Sequence, residues 1–265
     1  MDKMKRMKKI LVLLLCAMFI TAPIFTETAE AAAKTSSAPV QNGWYKYKNG
    51  SLKYFKKGKY LTGCQQIGKY KYLFNRNGVK MQKNTEYNNI LYYVDDNAHV
   101  AGWRKGAFCY YNNGRRMSKT KSQEYSAYQN ARSVVQTVTN KKMSRSKKLE
   151  TCFRWVMRRH YGTWRRFDQG GSAWYAVQAN DMFERGRGDC IGYASAFAYI
   201  AKALGYKNVY ICANAPRSNN HAHAWTEING RVYDPLYAGT DGYRQNYNVR
   251  YSTYRWYYKF RKKLA

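Results

Sequence analysis

Pairs of large apolar residues return at a near-constant interval through the first half of the chain. They stand at Tyr54-Phe55, Leu73-Phe74, Tyr92-Tyr93 and Tyr110-Tyr111, roughly every 19 residues. Each pair is followed by a polar turn: Lys57-Gly58, Asn77-Gly78, Asp96-Asn97 and Asn113-Gly114. Gly-Trp, or a degraded form of it, precedes most units at Gly43-Trp44, Gly63-Cys64 and Gly102-Trp103. A unit this short reads as a β-hairpin whose aromatic face stays open unless neighbours stack on it. Residues 43–117 are therefore expected to form an all-β hairpin-repeat solenoid.

The chain has 265 residues, enough for one or two domains with a real core, and 45% hydrophobic content argues against disorder. Its formal net charge is +32. Such an excess favours polyanionic surroundings: nucleic acid, anionic lipid or an anionic wall polymer. The start of the chain selects among them. Lys3, Lys5, Arg6, Lys8 and Lys9 precede an apolar run over 10–20, and Ala29-Glu30-Ala31 or Ala31-Ala32-Ala33 offers a small-residue cleavage site. That order is the pattern of a secretory signal peptide, assigned to residues 1–33, and the apolar run is too short to span a bilayer. Membrane contact is expected only through an uncleaved signal peptide. Export, with no recognition motif, excludes a nucleic-acid partner, and the protein is expected at the cell wall or surface. Residues 34–42 read as a linker.

After cleavage five cysteines remain: Cys64, Cys109, Cys152, Cys190 and Cys212. An odd count in an exported chain leaves a thiol over or implies an intermolecular bond. Cys190 is the one in a reactive setting. It follows Gly188-Asp189 and opens a small-residue helix over 191–204, which Gly205 would end as a left-handed cap. A thiol at a helix N-terminus feels the positive end of the dipole, so its pKa is expected to fall.

A base lies downstream. Runs 223–228 and 231–234 are joined by Asn229-Gly230, a strong two-residue hairpin signal. With that turn, Ile228 faces Arg231, and His223 and Asp234 become diagonal neighbours on one face. His221 lies one step further from the carboxylate. Thiol, imidazole and carboxylate form a nucleophile, base and orienter set in Cys190, His223 and Asp234. His221 and His223 could instead pair with Cys190 around a metal, but further ligands are scarce, and neither metal nor cofactor is expected. Elsewhere, helices are expected over 122–138, 146–160 and 174–183, a strand over 209–213, a polar flap over 214–220, and edge strands within 251–260.

Gly188-Asp189-Cys190-Ile191-Gly192-Tyr193-Ala194, His223-Ala224-Trp225 and Tyr233-Asp234-Pro235 together resemble the transglutaminase-like superfamily of bacterial secreted proteins, over roughly residues 145–240. The resemblance implies an α+β papain-like transglutaminase core, placed at residues 145–265, in which Cys190, His223 and Asp234 match the family's Cys, His and Asp. Residues 118–144 are a linker or the start of that domain. The mechanism expected is attack of the thiolate on a peptide or wall-peptide amide, giving a thioester that passes to water (a peptidase or amidase) or to an amine (a transglutaminase). The backbone N–H of Cys190 would hold the oxyanion with a second donor drawn from Trp174 or Gln178, with Gln169 behind them, while Tyr193 and Trp225 shape the pocket.

The hairpin units resemble the cell-wall-binding repeats related to choline-binding modules of Gram-positive surface proteins. That implies a wall polymer as partner, either choline-bearing through aromatic cages or anionic through the many lysines. Trp44, Tyr54, Tyr72, Tyr93, Trp103 and Tyr111 are the contacts so implied, with Cys64 standing where one unit would carry Trp. A second reading keeps both folds without chemistry: a non-catalytic wall-binding or scaffolding protein.

Overall fold

The computed structural model describes residues 41–163, 165–219 and 221–264. The signal-peptide assignment lies outside them. The described residues fall into two compact units, divided between Leu61 and Thr62.

In the first unit, β1 (Gly43–Lys46), β2 (Leu52–Lys56) and β3 (Lys59–Tyr60) form a three-stranded antiparallel sheet. Lys57 and Gly58 both take positive φ between β2 and β3, as a two-residue turn of the hairpin type requires. Trp44 pairs with Tyr54 across the ladder and is buried edge-on to it, the ring centroids 5.2 Å apart.

The second unit opens with more hairpin strands. β4 (Gly63–Ile67) pairs β5 (Tyr70–Phe74), and β6 (Thr85–Tyr87), β7 (Ile90–Val94), β8 (Val100–Lys105) and β9 (Phe108–Tyr111) form an antiparallel sheet in chain order. One turn recurs in both units. Gly50, Gly78, Ala98 and Gly114 each donate their N–H to the carbonyl three residues earlier, at Tyr47, Asn75, Asp95 and Tyr111, and each has positive φ. Glycine adopts that backbone freely; Ala98 adopts it without that freedom.

Helix α1 (Lys119–Val138), capped by the Ser118 hydroxyl, joins this sheet to the α/β core. Tyr93 Oη lies 2.9 Å from Ser126 Oγ, Cys109 N–H donates to Ser122 Oγ at 2.8 Å, and Arg132 pairs with Asp96 at 2.8 Å. The helix starts earlier than expected because Ser118 supplies the cap.

The core follows. It holds α2 (Arg145–Met157), β10 (His160–Tyr161), a 3-10 turn, α3 (Trp174–Arg185), β11 (Arg187–Gly188), α4 (Cys190–Ala203), β12 (Val209–Ala213), β13 (Ala224–Ile228), β14 (Arg231–Tyr233), α5 (Pro235–Thr240), β15 (Tyr247–Val249) and β16 (Phe260–Lys263). Short β10 and β11 pair in parallel just before α4. The main sheet is antiparallel, ordered β15-β14-β13-β12-β16. Ile228 stands opposite Arg231 across Asn229-Gly230, whose φ values of 51° and 76° make the tight hairpin. The tail departs from expectation. Residues 251–255 form turns rather than a strand, and the edge strand starts only at Phe260.

Alternation along the strands sorts two buried clusters. Ile211, Ile228 and Tyr233 join the helices in the main core, while Cys212, Trp225 and Val232 face the other way, under Tyr254. Helix α4 is buried almost all round, hence its run of alanines, and Thr226 Oγ1 fixes β13 to it by donating to the Ala194 carbonyl at 2.8 Å. Phe153 on α2 meets Phe197, Tyr233, Tyr243 and Tyr247, with centroids 4.9 to 6.4 Å apart. The architecture is mixed α/β.

Candidate active site

Cys190 is the first residue of α4 because Asp189 caps it. Asp189 Oδ1 accepts N–H groups from Ile191 at 3.0 Å and Gly192 at 3.2 Å. The thiol is half-buried and free, and Sγ donates to the Ala222 carbonyl at 3.3 Å. Its proton affinity overturns the expectation from the helix dipole. Burial pushes the Cys190 thiol up to about 12, with the charges of Asp189 and Asp234 adding to the rise, against lowering by the N–H groups of Ala224 and Ile191. Desolvation of a thiolate outweighs the partial charge of one helix end.

His223 stands just before β13. Its N–H donates to Asn214 Oδ1 at 2.8 Å, and its carbonyl accepts the Asn214 N–H at 3.1 Å, so the backbone is fixed from both sides. Nε2 lies 2.6 Å from Asp234 Oδ2, and the Tyr237 ring stacks on the imidazole with centroids 3.9 Å apart and planes 12° apart. Asp234 has no exposed surface. It ends the hairpin by capping α5, Oδ1 accepting the Tyr237 N–H at 3.1 Å, and Oδ2 also accepts the Tyr254 hydroxyl at 2.7 Å. The reach between His223 and Asp234 therefore comes from a strand-to-helix corner.

Cys190 and His223 line one cavity of about 590 Å³. Asp189, Ala222 and His221 share its wall, with Tyr161, Arg166, Phe167 and Tyr237 among the remainder. Arg217 ties two of the surrounding loops together, donating to the carbonyls of Phe167 at 3.2 Å and Asp168 at 3.1 Å.

The other residues expected in the pocket are placed elsewhere. Gln178 Nε2 donates to the Arg166 carbonyl at 3.2 Å, Trp174 is buried edge-on to Phe167, Tyr193 donates its hydroxyl to the Arg159 carbonyl, and Trp225 Nε1 donates to Tyr251 Oη at 3.1 Å. None of the four lines the cavity. Gln169 Oε1 accepts the Arg166 N–H at 3.0 Å. These side chains support the walls from behind, because Trp174 and Gln178 sit on the core side of α3 and the indole of Trp225 faces the far side of the sheet. Tyr237, Tyr254 and Arg166 were not singled out by sequence; the one available signal was the aromatic-rich tail.

Among the hairpin aromatics, Tyr72 and Tyr93 are 1% and 0% exposed, so these two are core and reach no polymer. Trp44 is buried too, while Tyr54, Trp103 and Tyr111 are partly exposed. Trp103 stacks on Tyr110 at 5.8 Å, and Lys71 Nζ sits 5.5 Å over the indole while donating to the Asn112 carbonyl at 2.6 Å. Among the described residues no group of three or more His, Cys, Asp or Glu side chains could hold a metal, and no helix is long and apolar enough to cross a membrane.

Residues 132–257 match the family model of the transglutaminase-like superfamily, Transglut_core. No curated protein matches the chain. A solved structure of alternansucrase in complex with isomaltononaose is similar at 20% identity over 30% of this chain and 8% of that one, with a TM-score of 0.17, too slight a likeness to bear on fold or function. Residues 132–257 are a transglutaminase-like superfamily domain, and Cys190, His223 and Asp234 all lie within it.

Proposed function

We propose that this protein is a secreted, cell-wall-associated cysteine acyl-transfer enzyme acting on peptide or wall-peptide amides. The carrying observation is the His223–Asp234 bond of 2.6 Å beside a cavity that His223 shares with the half-buried Cys190 thiol. Asp234 holds Nε2, leaving Nδ1 to take the thiol proton as Sγ attacks the carbonyl carbon. The tetrahedral oxyanion collapses to a thioester as the leaving amine takes the proton from His223. Water or an amine then attacks the thioester, and the thiol returns. Because the resting thiol holds its proton tightly, His223 acts as a general base during attack rather than resting beside a preformed thiolate. The basic, apolar start of the chain directs export. The hairpin units and the strongly basic character that the chain keeps after loss of residues 1–33 hold the enzyme to an anionic wall polymer.

The test is to incubate the purified protein with peptide amides and examine it intact by mass spectrometry. A mass gain on Cys190 equal to the acyl portion, absent in Cys190→Ala and discharged by water or added amines, is expected. No adduct in the presence of any peptide, with Cys190 unmodified, would overturn the reading. The same raised thiol favours a second reading, a non-catalytic wall-binding or scaffolding protein, which predicts that second result.

A further inference from the structure

Asp234 Oδ2 serves two donors at once. His223 Nε2 lies 2.6 Å from it and Tyr254 Oη 2.7 Å, and all three side chains are buried. Tyr254 comes from the turn after β15, twenty residues beyond the carboxylate, and packs beside Trp225 with centroids 5.2 Å apart. We propose that Tyr254 is a positioning residue of this site, setting through Asp234 how strongly a proton is supported on His223. The proposal rests on the acyl-transfer reading for its consequence but on geometry for its existence.

The physics is competition for one oxygen. A phenol donating to a carboxylate oxygen draws charge from it, and the oxygen then accepts a second hydrogen bond less strongly. Tyr254 thus weakens the support that Oδ2 offers an imidazolium. It also holds the carboxylate in the rotamer that meets His223, together with the Tyr237 N–H on Oδ1. The phenol itself is held protonated, since burial and the charge of Asp234 both push its pKa upward. Around the pair stand Cys190 from α4 and its cap Asp189, Tyr237 from α5 and Asp241 just past its end, Arg255 beside Tyr254, His221 from the preceding loop and Tyr161 from β10. None of these changes in the variants below.

Two perturbations of opposite sign test it. Tyr254→Phe removes the competing donor; 3,5-difluorotyrosine placed at 254 strengthens it, because fluorine makes the phenol more acidic. The direct readout is the low-field Nε2–H proton resonance of His223, assigned by its loss in His223→Ala. It should move downfield in Tyr254→Phe and upfield with difluorotyrosine. The second readout is the pH dependence of Cys190 alkylation by iodoacetamide, a property of the thiol–imidazole pair as a unit. Its midpoint should rise in Tyr254→Phe by about half a pH unit, because the imidazole must lose its proton to act as base, giving roughly threefold slower labelling at fixed low pH with the high-pH plateau kept, and fall with difluorotyrosine. A purely structural role predicts slower labelling at every pH in Tyr254→Phe and no effect of fluorination. An unmoved resonance in both variants overturns the proposal whatever the alkylation shows. Failure of the acyl-transfer reading is seen separately, as alkylation that His223→Ala does not slow.

Discussion

Asp189 does two things to Cys190 that pull apart under substitution. Its carboxylate caps α4 through two N–H groups, at 3.0 and 3.2 Å, and its charge is the largest contributor after burial to the raised thiol. Asn keeps the cap geometry and drops the charge; Ala drops both. Loss of an N-cap costs about 1 kcal/mol, within roughly 0.5–2 kcal/mol, and each kcal/mol is a fall in melting temperature of about 2–4 °C for a domain of this size. Asp189→Asn should stay within about 0.5 kcal/mol of the wild type. The charge of Asp189 disfavours the ionised form of the neighbouring thiol. Because Asp189 is half-buried, solvent screens part of this, and a fall of about one pH unit or less is expected for the thiol in both variants. Melting curves read the first quantity, and the pH midpoint of Cys190 alkylation reads the second. Equal destabilisation of Asn and Ala would refute the cap, and an unmoved midpoint in both would refute the electrostatic account of the thiol.

Other perturbations have defined outcomes. Burial raises Cys152 and Cys212 from 9.0 to about 12. The unfolded chain therefore releases these protons first, and stability should fall as pH rises from about 9 towards 12, by about 1.4 kcal/mol per pH unit per thiol; denaturant melts at pH 8 and 10 with Cys152→Ala and Cys212→Ala check it. Phe153→Ala, which removes a side chain with no exposed surface from four ring contacts, should cost about 3–5 kcal/mol in the same melts. Lys71 Nζ occupies the cation position over Trp103, so choline should quench Trp103 fluorescence only in Lys71→Ala, and equal binding to the wild type would contradict this.

What could be read in advance was local. Asn229-Gly230 carries its turn in its own backbone preference, so the register from Ile228 to Arg231 followed from two residues. Gly205 marks the end of α4 by capping chemistry alone, its φ being 81°. His223 and Asp234, eleven residues apart across that turn, had little room to separate. The rest depended on distant chain. Tyr254 reaches Asp234 from a tail of tyrosines and arginines with no periodicity, and Phe167 meets both Trp174 and Phe260. Which face of α3 carried Gln178 inward was fixed by packing against α1 and α4. The proton affinity of Cys190 required knowing its burial, which no dipole argument supplies.

In the proposed reaction His223, held by Asp234, activates Cys190. Its most direct test is the alkylation rate of Cys190 across pH 5–9, mapped by mass spectrometry, in the wild type, His223→Ala and Asp234→Asn. Selective labelling of Cys190 near pH 7 is expected despite its raised pKa, slowed about 10²-fold or more in His223→Ala and slowed also in Asp234→Asn. Labelling of Cys190 that is unchanged in His223→Ala, or a Cys190 that stays inert in the wild type, would contradict it.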